Sequence, residues 1–179
     1  SKSVKLYFGS FAQSRFDGSD AVSGAIVRDL SAAVGAPVAL DLVAPAAFHR
    51  LRIAELPGES LDGLPIAMDR YEVDPGLLAV AGPAAAETLR TDLFRSVCPI
   101  TGQPDYASVA VAYRGPRIDR AALLRYLVSY RTHPGFHEHC VERIFVDLAA
   151  ACRCVALTVH ARFTRRGGID INPFRSDAV

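Results

Sequence analysis

The chain has 179 residues, half of them hydrophobic, with 20 Lys plus Arg against 19 Asp plus Glu and a net charge of +1. That length supports one large domain or two small modules with real cores, and the near-neutral balance argues against direct nucleic-acid binding and against an acidic interaction tail. The most apolar run, residues 77–86, is too short and too broken to span a bilayer, so no membrane partner is expected.

In chain order, Lys2, Val4, Leu6 and Phe8 alternate with Ser3, Lys5 and Tyr7, which predicts a half-buried strand rather than a signal peptide. Ser19 is placed to cap a helix over 20–34 with Val22, Ile26, Leu30 and Ala33 on one face, and Gly35 and Pro37 stop it. Residues 37–43 alternate Val38, Leu40 and Leu42 and predict a second strand. From Ala44 to Pro75 the pattern dissolves into Pro and Gly, a connector with one short strand expected over 67–73.

Residues 87–97 fit strand or helix equally, with Leu89, Leu93 and Val97 as the apolar set. Residues 108–114 alternate cleanly and predict a strand that Gly115-Pro116 turns. Asp119 caps a helix to about Tyr130, burying Leu123, Leu124, Leu127 and Val128. A second helix over 136–151 buries Val141, Ile144, Phe145 and Leu148. Residues 155–163 give the strongest alternation in the chain, and Gly167-Gly168 turns it into a short strand over 169–171. The second half thus reads strand, strand, helix, helix, strand, strand. Two antiparallel hairpins flank a helix pair that covers one sheet face, an α+β arrangement. Its open edges call for a partner subunit, so a homo-oligomer is expected. The cysteines are Cys98, Cys140, Cys152 and Cys154. A chain with this core does not need disulfides, which predicts free thiols and a cytoplasmic protein.

Three stretches carry chemistry. Cys98 and Asp105 bracket Pro99, Gly102 and Pro104, so they stand at two ends of one bent loop. A thiolate is a strong nucleophile and a nearby acid can protonate what it attacks, although a buried cysteine beside a turn-forming aspartate has the same spelling. His133, His137 and His139 lie close enough to suggest a metal, but Pro134-Gly135 interrupts their spacing. Glu138 reads better as a carboxylate at a helix N-terminus, where the dipole favours its charge and its two oxygens can accept parallel N–H donors of a purine edge. Arg165, Arg166, Gly167 and Gly168 make a phosphate seat or a solvated hairpin turn. Cys152 and Cys154 read as structural, and no G-x-G-x-x-G occurs.

Ser1 to Phe8, the Cys98–Asp105 loop, Phe136-His137-Glu138 with Cys140-Val-Glu-Arg-Ile-Phe145, and Phe163-Thr-Arg-Arg-Gly-Gly-Ile-Asp-Ile-Asn-Pro173 resemble, in order, the NADPH-dependent 7-cyano-7-deazaguanine reductases in their longer, two-module form. These are the nitrile reductases of queuosine biosynthesis, a tRNA-modification pathway. The resemblance implies a tunnelling fold (GTP cyclohydrolase I-like). Residues 1–72 would be the end of an incomplete first module plus connector, and 73–179 a second module bearing the catalytic cysteine. It implies that 87–97 is a strand. It makes Cys98 the nucleophile forming a covalent thioimide with the nitrile carbon, and Asp105 the acid that protonates the nitrogen. His137 joins them as a catalytic and substrate-binding residue, with Glu138 and Ser1 also on the deazapurine. Ser1, Lys2, Arg166 and Gly167 match NADPH-binding positions, no metal is implied, and two NADPH hydrides give 7-aminomethyl-7-deazaguanine. Within this family a homodimer is expected.

The family has a glutamate just before the Ser-Lys-Ser motif, so the natural protein is expected to carry roughly eighty to a hundred further residues upstream that pair with 2–8. Two other readings stay open. One is a zinc cyclohydrolase of the same fold, which lacks here the histidines expected beside the cysteine. The other is a catalytically silent purine-binding module held by Glu138.

Overall fold

The computed structural model describes residues 2–178. It forms two compact units that divide after Ala54, inside the stretch expected to be a connector.

The first unit opens with α1 (Lys2–Ser10), where alternation predicted a strand. Val4, Tyr7 and Phe11 recur at i, i+3 and i+7, and these are the half-buried residues, so the helical period wins. The Tyr7 ring meets Phe11 edge-on at 5.0 Å, and its hydroxyl donates to Asp29 at 2.9 Å. As a helix, residues 2–8 present no strand for the upstream pairing that was expected of them. Helix α2 (Ser19–Val34) follows, with Gly18 rather than Ser19 at its N-cap and Gly35 closing it in the left-handed region at φ +68°. Ile26 is its buried residue, Val22 and Leu30 are half-buried, and Ala33 is exposed. Residues 37–43 are irregular instead of a strand. Alternation alone does not make a strand; a ladder needs a partner, and none pairs there among the described residues.

The second unit holds a five-stranded sheet in sequential order: β1 (Glu59–Ser60), β2 (Val80–Val97), β3 (Pro104–Ile118), β4 (Ala156–Phe163) and β5 (Phe174–Ser176). β1 pairs parallel to β2; the other pairings are antiparallel. Between β3 and β4 run α3 (Arg120–Val128) and α4 (His137–Cys152). Asp119 caps α3, its carboxylate accepting from Ala122 N–H at 2.8 Å. The order strand, strand, helix, helix, strand, strand is the one expected of the second module. The core lies between one sheet face, with Val109, Val111, Leu157 and Val159, and the helix residues Leu123, Leu127, Ile144 and Leu148.

Four local expectations differ from the structure. Residues 67–73 form no strand; the connector's strand is β1, next to β2. Gly115-Pro116 does not turn the chain. Gly115 continues the ladder opposite Ala85, because a residue without a Cβ lets the backbone at Cys154 approach; a Cβ there would stand 3.0 Å from Cys154 Cα. The Gly167-Gly168 turn is present, closed by an Arg166–Ile169 bridge, but the strand after it is β5 rather than 169–171. Finally, β2 does not bury Leu93. One extra residue sits between Thr91, opposite Val109, and Phe94, opposite Ala107. This β-bulge inverts the side-chain alternation, so Leu93 is 40% exposed and Phe94 1%.

Asp62 holds that bulge. Its Oδ2 accepts from Asp92 N–H at 3.0 Å, its Oδ1 accepts from the Thr91 hydroxyl, and Thr91 Oγ1 accepts from Leu93 N–H at 3.1 Å. A segment that looked like plain connector therefore sets which face of β2 carries Ser96.

Candidate active site

The thiol and the carboxylate occupy the tip of the β2–β3 hairpin. Val97 pairs with Pro104 and Ser96 with Asp105. Beyond that pair, Cys98 N–H donates to Gln103 O at 2.8 Å and Gly102 N–H donates to Cys98 O at 2.9 Å. Gly102 sits at φ +68°, a conformation that glycine adopts without strain. The bend anticipated from Pro99, Gly102 and Pro104 thus brings Cys98 and Asp105 onto facing arms.

A second strap ties this tip to α4. Val97 N–H donates to His133 O at 2.9 Å, and Gly135 N–H donates to Val97 O at 3.0 Å. Gly135 is buried, and a Cβ on it would meet Cys140 Sγ at 3.0 Å and the His133 ring at 3.2 Å. A glycine is what lets the strap lie against β2. Two residues later α4 begins with His137, whose Nε2 stands 3.3 Å from Asp105 Oδ2. The His137 ring lies flat on Phe163, centroids 3.9 Å apart and planes 6° from parallel. Its Nδ1 is buried and has no hydrogen-bond partner among the described residues, so Phe163 and Asp105 fix the ring.

Asp105 is buried, its side chain 3% exposed, and Oδ1 accepts from Arg166 Nη1 at 2.7 Å. Cys98 is half-buried. A hydrogen bond from the Thr101 hydroxyl, with help from the Ile100 and Thr101 N–H groups and Arg166, lowers its thiol to about 7 against the opposing effect of burial. A sulfur that is half thiolate near neutrality and a carboxylate within the same hairpin form a nucleophile–proton carrier pair. The other thiols are different: burial pushes Cys140 and Cys152 up to about 11, and all four cysteines are free.

Two family descriptions match the chain: "Nitrile reductase, 7-cyano-7-deazaguanine-reductase N-term" over residues 1–42 and "QueF-like protein" over residues 104–178. A Burkholderia vietnamiensis protein named NADPH-dependent 7-cyano-7-deazaguanine reductase is 58% identical over 179 residues, covering 99% of this chain and 65% of that protein. A Burkholderia cenocepacia protein of the same name is 57% identical over 181 residues, with 99% and 66% covered. The chain belongs to the QueF family. It spans about 65% of the length of the first of these relatives. A solved structure, the archaeosine synthase QueF-Like in the apo form, aligns with a TM-score of 0.46 at 19% identity over 54% of this chain and 94% of that one.

Within this family member, the geometry joins Cys98, Asp105, His137 and Arg166 in one cluster. Gly167 is the exposed first residue of the adjoining turn, at φ +60°. Glu138 is exposed in the first turn of α4. Ser1 and the Lys2 side chain lie outside the described residues. The three histidines do not converge. His137 faces Asp105, His133 meets Tyr130 edge-on and His139 meets Phe136. Sequence reasoning missed Thr101 and Gln103, which touch Arg166, and gave Phe163, quoted within a strand and a family motif, no role at the site. The Pro-Ile-Thr-Gly spelling of the bend was the available signal for Thr101.

Proposed function

We propose that this chain carries the thiol–acid centre of a nitrile reductase that converts 7-cyano-7-deazaguanine to its aminomethyl product, in queuosine biosynthesis. The observation that supports it most is the pairing of a thiol held near neutral ionisation with a buried carboxylate on facing arms of one hairpin. The names of the relatives point the same way. In module terms, we assign residues 1–72 to the end of a first tunnelling-fold module with its connector and 73–179 to the second.

A nitrile carbon is a poor hydride acceptor; a C=N bond bearing sulfur is a better one, so covalent capture splits one hard step into easier ones. Cys98 Sγ forms the C–S bond as one C≡N π bond opens, and the proton that leaves the thiol ends on the nitrile nitrogen. Asp105 is the carrier, taking the proton on an oxygen and delivering it, while His137 Nε2 at its other oxygen supplies or absorbs a second one. Glu138 offers two acceptor oxygens for the N–H donors of the deazapurine edge. Ser1 is assigned to substrate and cofactor on the resemblance alone.

Two NADPH, bound in turn, would each supply one hydride. The donor set suits such a group. Gly167 and Gly168 form an exposed tip with left-handed backbone, open space stands where a Gly168 Cβ would be, and Arg165 beside it is exposed. Gly167 and Arg166 are the residues of this turn that we assign to it, and Lys2 is assigned on the resemblance alone.

Nitrile reduction followed by mass analysis of the base, with NADPH present, tests the proposal. The aminomethyl product should form with wild type and vanish with Cys98→Ala. Turnover by Cys98→Ala would sink it.

A further inference from the structure

Resemblance assigns Arg166 to the cofactor, yet its guanidinium lies inside the thiol hairpin. Nη1 donates to Asp105 Oδ1 at 2.7 Å. Nη2 donates to Thr101 Oγ1 at 2.9 Å and to Gln103 Oε1, and the group helps to lower the Cys98 thiol. One planar fork thus holds the acid and two residues of the bend that carries the thiol. The backbone that carries it is fixed, since Arg166 N–H donates to Ile169 O at 3.0 Å across the Gly167-Gly168 turn.

Three consequences follow from elementary chemistry. A thiolate and a carboxylate in one small site repel each other, and a shared cation offsets that repulsion. Arg is charged throughout the working pH range, so the offset is constant. The third runs through Thr101. Its oxygen accepts from Arg166, which leaves its single proton to donate elsewhere, and the Cys98 sulfur is what it meets. The remaining charged or titratable groups around the site are few. His137 faces Asp105 from α4. Cys140, also on α4, feels the Asp105 and Glu138 charges from a buried position that keeps it a neutral thiol.

We infer that Arg166 is a positioning residue for the thiol and acid, holding the sulfur nucleophilic and the carboxylate aligned before any cofactor arrives, both directly and through Thr101. The purpose of that arrangement rests on the nitrile reading above; its first test does not. The cofactor-only assignment requires that changes at Arg166 leave capture of the nitrile intact, whereas a clasp on the hairpin requires that they slow it.

The test follows iodoacetamide alkylation of Cys98 by peptide mass spectrometry across a range of about pH 5 to 9, without substrate or cofactor. Wild type, Arg166→Gln, Arg166→Lys and Thr101→Val are compared. Arg166→Gln and Thr101→Val should react about threefold or more slowly at pH 7, with profiles displaced to higher pH that meet wild type at the alkaline end. Arg166→Lys, which restores charge but not the fork, should fall between. A Gln profile that superimposes on wild type overturns the inference, whatever Thr101→Val does. Arg166 lies on a surface turn, so unchanged circular dichroism is expected; should the Gln variant lose structure, the Lys variant decides, and a wild-type profile from it overturns the inference as well. In a second arm 7-cyano-7-deazaguanine is added without NADPH, and adduct formation should slow in Arg166→Gln by the same factor as alkylation. Absence of adduct on wild type would count against the nitrile reading alone, since the alkylation profiles decide the role of Arg166 by themselves.

Discussion

Cys98 draws its reactivity from hydrogen bonds at a hairpin tip, and burial works against it. The sign of the pH dependence follows. A thiol lowered to about 7 gains thiolate through neutrality, whereas an ordinary cysteine does so only about a pH unit and a half higher. Alkylation of Cys98 should therefore rise between pH 6 and 8, roughly, and level off above. Cys140 and Cys152, pushed up to about 11 by burial, should stay unlabelled in the folded protein; labelling of either before Cys98, seen by peptide mapping, would refute the assignment. Asp105→Asn keeps an acceptor for Arg166 but cannot carry a proton. Nitrile turnover should drop about 10²- to 10⁴-fold with substrate affinity nearly kept, as calorimetry would show.

The hairpin works because β2 arrives at it in the right phase. Without the bulge at Asp92–Leu93, Arg95 instead of Ser96 would face inward opposite Asp105's neighbours, and every side chain to Cys98 would change face. Asp62 supplies the acceptors for that bulge. Asp62→Ala leaves Asp92 N–H and the Thr91 hydroxyl without their partner, at a cost of about 1–3 kcal/mol, measurable by urea unfolding. Cys98 alkylation in that variant should also lose its neutral midpoint. Stability equal to wild type would show that the bulge does not depend on Asp62.

This is also where sequence reading reached its limit. Helices α2, α3 and α4 and strand β4 were legible because each has one dominant period, with boundary signals such as Gly35 after α2 and the Asp119 cap before α3. α1 was not, because over nine residues Lys2–Ser10 satisfy alternation and helical spacing together. The bulge was illegible because its cause, Asp62, lies 30 residues away from Asp92. At the site, the Cys98–Asp105 bend could be read from Pro and Gly, while the residues alone offered His137 as a metal ligand and Arg166 as part of a phosphate seat, and resemblance gave His137 its catalytic role and Arg166 to the cofactor. Their joint hold on Asp105 depends on the Gly135 strap and the Gly167-Gly168 turn, which no local pattern announces.

At the scale of the whole chain, two compact units divide between Ala54 and Glu55, and Arg50 and Arg52 beside that point in the sequence are exposed. Limited trypsin digestion should cut there first and leave a fragment of residues 51–179 or 53–179 that still unfolds cooperatively; first cleavage inside β2 to β5 would contradict the division. The central claim is that Cys98 captures the nitrile before any hydride is delivered. The direct measurement is intact mass of the protein after incubation with 7-cyano-7-deazaguanine and no NADPH. The account predicts a gain of one substrate mass, located to Cys98 by peptide mapping and missing from Cys98→Ala. An unchanged mass under conditions where the substrate is bound, or the same gain in Cys98→Ala, would contradict it.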